Sequence, residues 1–572
     1  MMHNRADFRR LLWPLFLAIL VPGALIVGVS ACDGALHKSP GKAAIASADP
    51  FATAAGMEIL EAGGNAFDAA VAVAATLSVV EPASSGLGGG GFFLLYLADS
   101  DTYRFIDARE VAPAAATRTM FLDLDGDPVR GASMNGPLAS GIPGEPAGMV
   151  YLAEHYGELP LSQTLANAIR HAEEGFAISR RALPGLRFRK QTLLSSPAFT
   201  DIFYTDGEIP AEGDLIIQAD LAQTLRRLAS GGFDGFYTGE TARLLVDGVR
   251  IGGGIWSLDD LADYRVVERE PTFIEFDGMR IVTAPLPSSG GVALTQIFNF
   301  LSAYQPEQLS SAQYTHYQIE AMRLAYRDRA VHLGDPDFVS MPLDMLMSKD
   351  YMETQRKRVS ADRATPSESL PGLAPDGSEG TQTTHFSILD KAGNRVAATI
   401  TINTWYGAGF IAPGTGVILN NEMDDFAIKR GVPNEYGLIG DEANSVAAGK
   451  RPLSSMSPSF LESARGIAIV GTPGGSRIIT MVLRAALAWH QGASAEEMVS
   501  LKRFHHQYLP DVVNFEPDAI SESDMEKLRS MGHELSPARR PFGNMNVVTW
   551  DFATGEVHSA SDPRGEGEGR VY

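Results

Sequence analysis

Thr383, Thr384, Thr401 and Asn403 are the residues whose types and spacing best fit covalent chemistry in this chain. They close the ends of two strand-like runs, Thr383-Thr-His-Phe-Ser-Ile-Leu-Asp390 and Arg395-Val-Ala-Ala-Thr-Ile-Thr-Ile-Asn403, joined by the turn residues Lys391-Ala-Gly-Asn394. That is the pattern of a β-hairpin. If residues near Leu389 pair with residues near Val396, paired numbers sum to about 785, and the register returns Thr401 and Asn403 to the side of Thr383 and Thr384. Thr is a good strand former, so the hydroxyls also fit an ordinary strand face. The chemical reading is that a cut between Gln382 and Thr383 makes Thr383 a new N-terminus. Its hydroxyl then has its own α-amine as base, a known activation of a Thr nucleophile. Free α-amines titrate near about 7.7–8.0, and partial burial lowers them towards the range where a general base works best. No histidine is needed.

The segment before the hairpin, residues 360–382, is rich in Ser, Pro, Gly, Asp and Glu and reads as a loop where a cut can be made. Upstream, Phe51 to Ala62 reads as a helix stopped by Gly63-Gly64, and Ala66 to Val80 as a second helix, apolar all round and therefore buried. The run Gly86-Leu-Gly-Gly-Gly-Gly91 lacks the strand–glycine–helix context of a dinucleotide site and the Lys-Ser/Thr of a phosphate loop. Close backbone approach to a neighbouring sheet explains it better, with Phe92 to Leu97 as the following strand. Residues 150–350 read as mostly helical, including amphipathic stretches from Leu161 to Ala172 and Tyr314 to Arg327.

Several blocks resemble, in order, those of the gamma-glutamyltransferase family. They are Thr383-Thr-His-Phe-Ser387 with Gly393-Asn394, Val396, Thr399, Thr401, Asn403 and Tyr406-Gly407; Asn420-Asn-Glu-Met-Asp-Asp-Phe426; Arg451-Pro-Leu-Ser-Ser-Met-Ser-Pro458; Gly471-Thr-Pro-Gly-Gly-Ser-Arg477; Arg503-Phe-His-His-Gln507; and Ala560-Ser-Asp-Pro-Arg564. The resemblance covers roughly Lys42 to Tyr572. It implies an α+β N-terminal-nucleophile hydrolase fold, a four-layer αββα sandwich built from two autoprocessed pieces, 42–382 and 383–572, that pair as a heterodimer. It implies Thr383 as nucleophile beside Thr401, and Gly474 and Gly475 as an oxyanion hole, where a side chain would obstruct the N–H groups. Arg109, Ser454 and Ser455 are implied for the substrate α-carboxylate, which suits the planar fork of an arginine. Glu422, Asp425 and Asn403 are implied for the α-amino group, and Tyr436 as the bar of a lid loop, 427–450. The residues alone leave other readings open: a salt bridge of Arg109 with Glu110 or Asp107, and a solvated acidic turn at Asn421 to Asp425. The implied activity is transfer of the γ-glutamyl group of glutathione and related compounds to water or to amino-acid and dipeptide acceptors, without a cofactor. A glutaryl-type cephalosporin acylase and a non-catalytic peptide-binding lipoprotein are the alternatives.

The formal net charge of −22 disfavours nucleic acid and anionic lipid as partners. The His residues of the helical stretch 150–350 and the adjacent pair His505-His506 read as packing residues, and no His-Glu-x-x-His spacing is present, so no metal is expected. Cys32 is the single cysteine, which excludes an intramolecular disulfide. Arg5, Arg9 and Arg10 followed by an apolar run to Ala31 make an export signal, 1–31, and a polar tether follows at 32–41. Val29-Ser-Ala-Cys32 resembles a bacterial lipobox, which implies lipidation of Cys32 and a place on the periplasmic side of a bacterial membrane. An ordinary cleaved signal and a retained anchor also fit the run. Asp33 resembles an inner-membrane retention signal.

Overall fold

The computed structural model describes residues 39–370 and 383–572. The expected signal, most of the tether, Cys32 and Gln382 lie outside the described residues. Among those described, no helix is long and apolar enough to cross a membrane.

Two antiparallel sheets face each other between layers of helix. Edge to edge, the first runs Glu568–Val571, Ala44–Ser47, Thr384–Leu389, Arg395–Thr401, Gly90–Leu97, Thr102–Ala108 and Val267–Arg269. The second runs Val557–Ser561, Asn546–Asp551, Gly466–Gly471, Ser459–Ser463, Met279–Thr283 and Thr272–Phe276. Phe386, Ile388, Val396, Ala398 and Ile400 pack on the helices of one outer layer, including Ala66–Val80. Phe92, Leu94 and Ala397 point the other way, into a core shared with Phe460, Ile469 and Val548 of the second sheet and the helices Gly290–Leu301, Ser311–His332 and Ile478–His490. This is the expected αββα sandwich.

The hairpin is at its centre. Leu389 pairs with Arg395 and Ile400 with Thr384, so paired numbers sum to 784 and Thr401 falls opposite Thr383. Three consecutive N–H groups, from Ala392, Gly393 and Asn394, donate to Asp390 Oδ1 and shape the turn, with Gly393 at φ +103°. The two-residue alternation holds this register. A one-residue slip would turn Phe386, Ile388, Val396 and Ile400 out of the helix-side core and put Thr399 and Thr401 into it, and each large apolar side chain displaced costs about 1.5–3 kcal/mol.

Ala66–Val80 is helical and buried along its whole length, with Asn65 and Asp68 forming a capping box at its start. The glycine run works by close approach: a Cβ on Gly89 would lie 2.0 Å from the Thr401 carbonyl oxygen, and one on Gly91 2.6 Å from that of Thr399. Gly90 and Gly91 open the strand that pairs with the end of the central hairpin. Two expectations need correction. Val267–Arg269, Thr272–Phe276 and Met279–Thr283 are strands within the stretch read as helical, recruited by pairing with Thr102–Ala108 and Ser459–Ser463. The amphipathic stretch from Leu161 is two helices, Leu161–Thr164 and Ala166–Glu174.

Candidate active site

Thr383 stands just ahead of the strand Thr384–Leu389, on the inter-sheet face and buried. Its Oγ1 is 3.2 Å from Thr401 Oγ1, which accepts the Asn403 N–H at 2.8 Å. That acceptor role leaves the Thr401 proton free to point at Thr383 Oγ1. Thr383 has φ +137°, a backbone region L-residues rarely adopt, and Asn403 is at φ +72°.

His385 shares the Thr383 face but does not serve it. Its Nδ1 contacts Thr399 Oγ1 at 2.9 Å and its Nε2 contacts Ser387 Oγ at 3.1 Å. Burial lowers its pKa to about 3, so it is a neutral packing residue between the sheets.

A small cavity opens on Thr383. Its lining brings together Arg109, Thr401, Asn403, Glu422, Asp425, Tyr436, Ser454, Ser455 and Gly475, drawn from places as far apart in sequence as Arg109 and Gly475. Arg109 is fully buried. It bonds Glu422 through Nη1 and Asp425 Oδ2 through Nη2 at 2.6 Å, and its Nε donates to the Pro452 carbonyl at 3.2 Å. The cation expected at one end of a substrate and the carboxylates expected at the other are therefore ion-paired with each other. The salt bridge to Glu110 is the long member, at 3.5 Å. Burial pushes Glu422 and Asp425 above the usual carboxylate range, with Arg109 opposing it, and raises Glu110 to about 8. Asn420 sets the Glu422 backbone: its Oδ1 accepts the Glu422 N–H at 2.9 Å while its Nδ2 donates to Gly88 and Gly141 carbonyls. The Asn403 side chain donates to the Asn421 carbonyl at 2.9 Å, which leaves its Oδ1 as an acceptor.

Gly474 and Gly475 lie at the entry to the helix Ile478–His490, at φ +142° and +55°. Their N–H groups donate to no group among the described residues. Free N–H groups at a helix start suit a developing oxyanion. Gly474 itself does not reach the cavity wall, whereas Gly475 does. Tyr436 lies on the cavity wall. Its hydroxyl donates to the Asn403 carbonyl at 2.6 Å, and its ring lies so close that a Cβ on Gly475 would be 2.3 Å from Tyr436 Cδ1. Further bonds hold the lid loop, from Asn434 Nδ2 to Asp425 Oδ1 at 3.1 Å and from the Glu435 N–H to Asp424 Oδ2 at 2.8 Å.

Ser454 Oγ accepts the Met456 N–H at 3.1 Å, while Ser455 Oγ is buried without a partner. Sequence reasoning missed Arg329, Leu438, Met456, Ser476 and Ile478 in the lining. Arg329 lies in a helix segment where charges and apolar residues alternate on all faces, which offers no periodicity to single it out. His505 and His506 bond Thr480, Gln507 and Asp511. His316, Glu320 and His533 form the one cluster of metal-capable side chains among the described residues. In it, His316 Nε2 lies 2.8 Å from the Ser360 carbonyl and Nδ1 2.7 Å from His533 Nε2.

Two facing antiparallel sheets between helix layers, with a buried threonine hydroxyl at the head of a central strand, are the architecture of an N-terminal-nucleophile hydrolase. Residues 52–572 match the family model described as Gamma-glutamyltranspeptidase, and the chain belongs to that family. It is 45% identical over 498 residues, 86% of each chain, to a glutathione hydrolase proenzyme of Pseudomonas sp. strain A14. It is 40% identical to the glutathione hydrolase proenzyme of Escherichia coli K12, across 91% of this chain and 90% of that one. Among solved structures, a cephalosporin acylase from Bacillus halodurans superposes with a TM-score of 0.81 at 26% identity, covering 92% of this chain and 95% of that one. The Helicobacter pylori gamma-glutamyltranspeptidase is 40% identical with a TM-score of 0.56, covering 57% of this chain and 94% of that one.

Proposed function

We propose that this chain is a proenzyme that cuts itself between Gln382 and Thr383 and then cleaves γ-glutamyl amides such as glutathione. The contact that carries the reading is the 3.2 Å approach of Thr401 Oγ1 to Thr383 Oγ1 beside a cavity lined with carboxylates and arginine. In maturation, Thr383 Oγ1 attacks the Gln382 carbonyl carbon, the peptide nitrogen leaves as the Thr383 amine, and water opens the resulting ester. The piece 383–572 then begins with a free Thr383 and stays paired with the piece ending at Gln382.

In turnover, the Thr383 amine takes the hydroxyl proton as Oγ1 attacks the γ-carbonyl. The Gly475 N–H at the cavity wall, with that of Gly474 behind it, holds the oxyanion, and the leaving amine departs with the proton. The γ-glutamyl ester then passes to water or to an amino-acid or dipeptide amine. Glu422, Asp425 and the free Oδ1 of Asn403 receive the substrate ammonium, and Arg109, Ser454 and Ser455 its α-carboxylate. The likeness to a cephalosporin acylase favours a second reading, but a glutaryl group has no ammonium to place against Glu422 and Asp425. At the other end of the chain, we propose that Cys32 is lipidated after export and tethers the enzyme to the periplasmic face of a bacterial membrane.

The deciding experiment is a denaturing gel with an anilide assay. Wild type should give two bands, the smaller reading Thr-Thr-His by Edman chemistry, and should release the dye from a γ-glutamyl anilide. Thr383→Ala should remain one inactive chain. Two normal bands from Thr383→Ala would refute the proposed nucleophile.

A further inference from the structure

Arg109 supplies one positive charge to a wall that already holds Glu422, Asp425 and Glu110. Arg109 is already engaged by Glu422 and Asp425, so an incoming carboxylate placed against that wall calls for a second cation within contact.

Arg329 is that cation. It lies in the last turns of the helix Ser311–His332, is 5% exposed, and lines the same cavity as Thr383, Asp425 and Ser455. Its Nε donates to Ser289 Oγ at 3.0 Å, and that hydroxyl donates to the Ser454 carbonyl at 2.7 Å, so the guanidinium is fastened to the Ser454–Ser455 loop. Its terminal nitrogens donate to no group among the described residues, and Asp425 acts on its charge from beyond ion-pair distance. Buried Arg109, Arg323 and Arg503 each hold a carboxylate. The terminal nitrogens stay open to the cavity, where an anionic ligand would meet them. Ser455 Oγ, buried and unpartnered, offers a further donor on the same wall.

We propose that Arg329 is a specificity-determining residue, the second guanidinium that meets the substrate α-carboxylate and thereby selects acyl groups that carry one. Resting on the γ-glutamyl reading above, it assigns to Arg329 the charge that Arg109, held by Glu422 and Asp425, cannot supply alone.

The test compares a γ-glutamyl anilide with the γ-aminobutyryl anilide, which has the same chain and amine but no carboxylate. Processed wild type, Arg329→Lys and Arg329→Gln are assayed on both, and each is checked by gel and thermal melt. Arg329→Gln should lower kcat/KM for the γ-glutamyl compound about 30-fold or more, chiefly through KM, as expected for loss of a charged partner. The γ-aminobutyryl reaction should change by less than about 3-fold, and Arg329→Lys should recover much of the loss. A parallel fall on both substrates, or no fall on either, overturns the proposal. Failure of wild type to cleave the γ-glutamyl anilide would instead remove the reading beneath it.

Discussion

Replacing Thr401 by Val tests the hydroxyl pair at the heart of the site. Val keeps the branched shape and removes only the oxygen, so two bonds are lost: the 3.2 Å contact to Thr383 Oγ1 and the 2.8 Å acceptor for the Asn403 N–H. The first acts on catalysis. A hydrogen bond to a group gaining charge is worth about 1.5–3 kcal/mol, which is roughly 10- to 150-fold in rate. The second acts on stability, because Asn403 is buried and its N–H would be left without an acceptor, at a cost of about 1–3 kcal/mol. Thr401→Val should therefore acylate 10- to 150-fold more slowly in single-turnover stopped flow, to within those rough limits, with the anilide KM little changed. Autoprocessing, followed by gel, should slow as well because the same hydroxyl serves both reactions. Thr401→Ser should restore most of each rate. If Thr401→Val melted earlier yet acylated within a factor of about two of wild type, Thr401 would be a support for Asn403 and nothing more.

Gly475→Ala would put a methyl group 2.3 Å from Tyr436 Cδ1 at a backbone φ of +55°, so the lid tyrosine must leave Asn403. The expected result is a higher KM and a larger share of hydrolysis over transfer, read as dye release with and without a dipeptide acceptor. An unchanged partition would mean that Tyr436 does not screen the intermediate. Glu145 is fully buried, its Oε1 bonded by Ser78 and its Oε2 unpartnered, and burial raises its pKa from 4.5 to about 8. The folded form thus keeps a proton that the unfolded chain releases above 4.5, and stability falls as pH rises through this window, by at most about 5 kcal/mol. Glu145→Gln should flatten that slope in thermal-inactivation rates between pH 5.5 and 8.5 relative to wild type, and parallel slopes would contradict it. Cys32→Ser should leave the precursor unprocessed at its signal or mislocalised, whereas intact-mass analysis showing an unmodified wild-type N-terminus beyond Cys32 would remove the lipid anchor.

The hairpin that carries Thr383 and Thr401 was legible because its determinants are local. Alternation from Phe386 to Ile400 sets which face is buried, Asp390 and Gly393 shape the turn, and pairing then carries Thr401 to Thr383. Register needed the fold: sequence placed it within one residue, and the contact of Ile388 and Val396 with the helix layer decided it. The helix Ala66–Val80 was legible for the same local reason, its apolar run bounded by the Asn65 cap. The strands from Val267 to Thr283 were not, because each is short and owes its extended form to partners far along the chain, Thr102–Ala108 and Ser459–Ser463. The site divides in the same way. Residue types and family-like blocks pointed to Arg109, Glu422 and Asp425, but not to their mutual ion pairing, which depends on side chains more than three hundred residues apart meeting out of water. Arg329 was invisible, since nothing in a helical run of mixed charges marks which arginine faces a cavity. Chain-local chemistry is written in spacing, whereas the charge balance of a buried pocket exists only after packing has removed the water and fixed which charges remain unpaired.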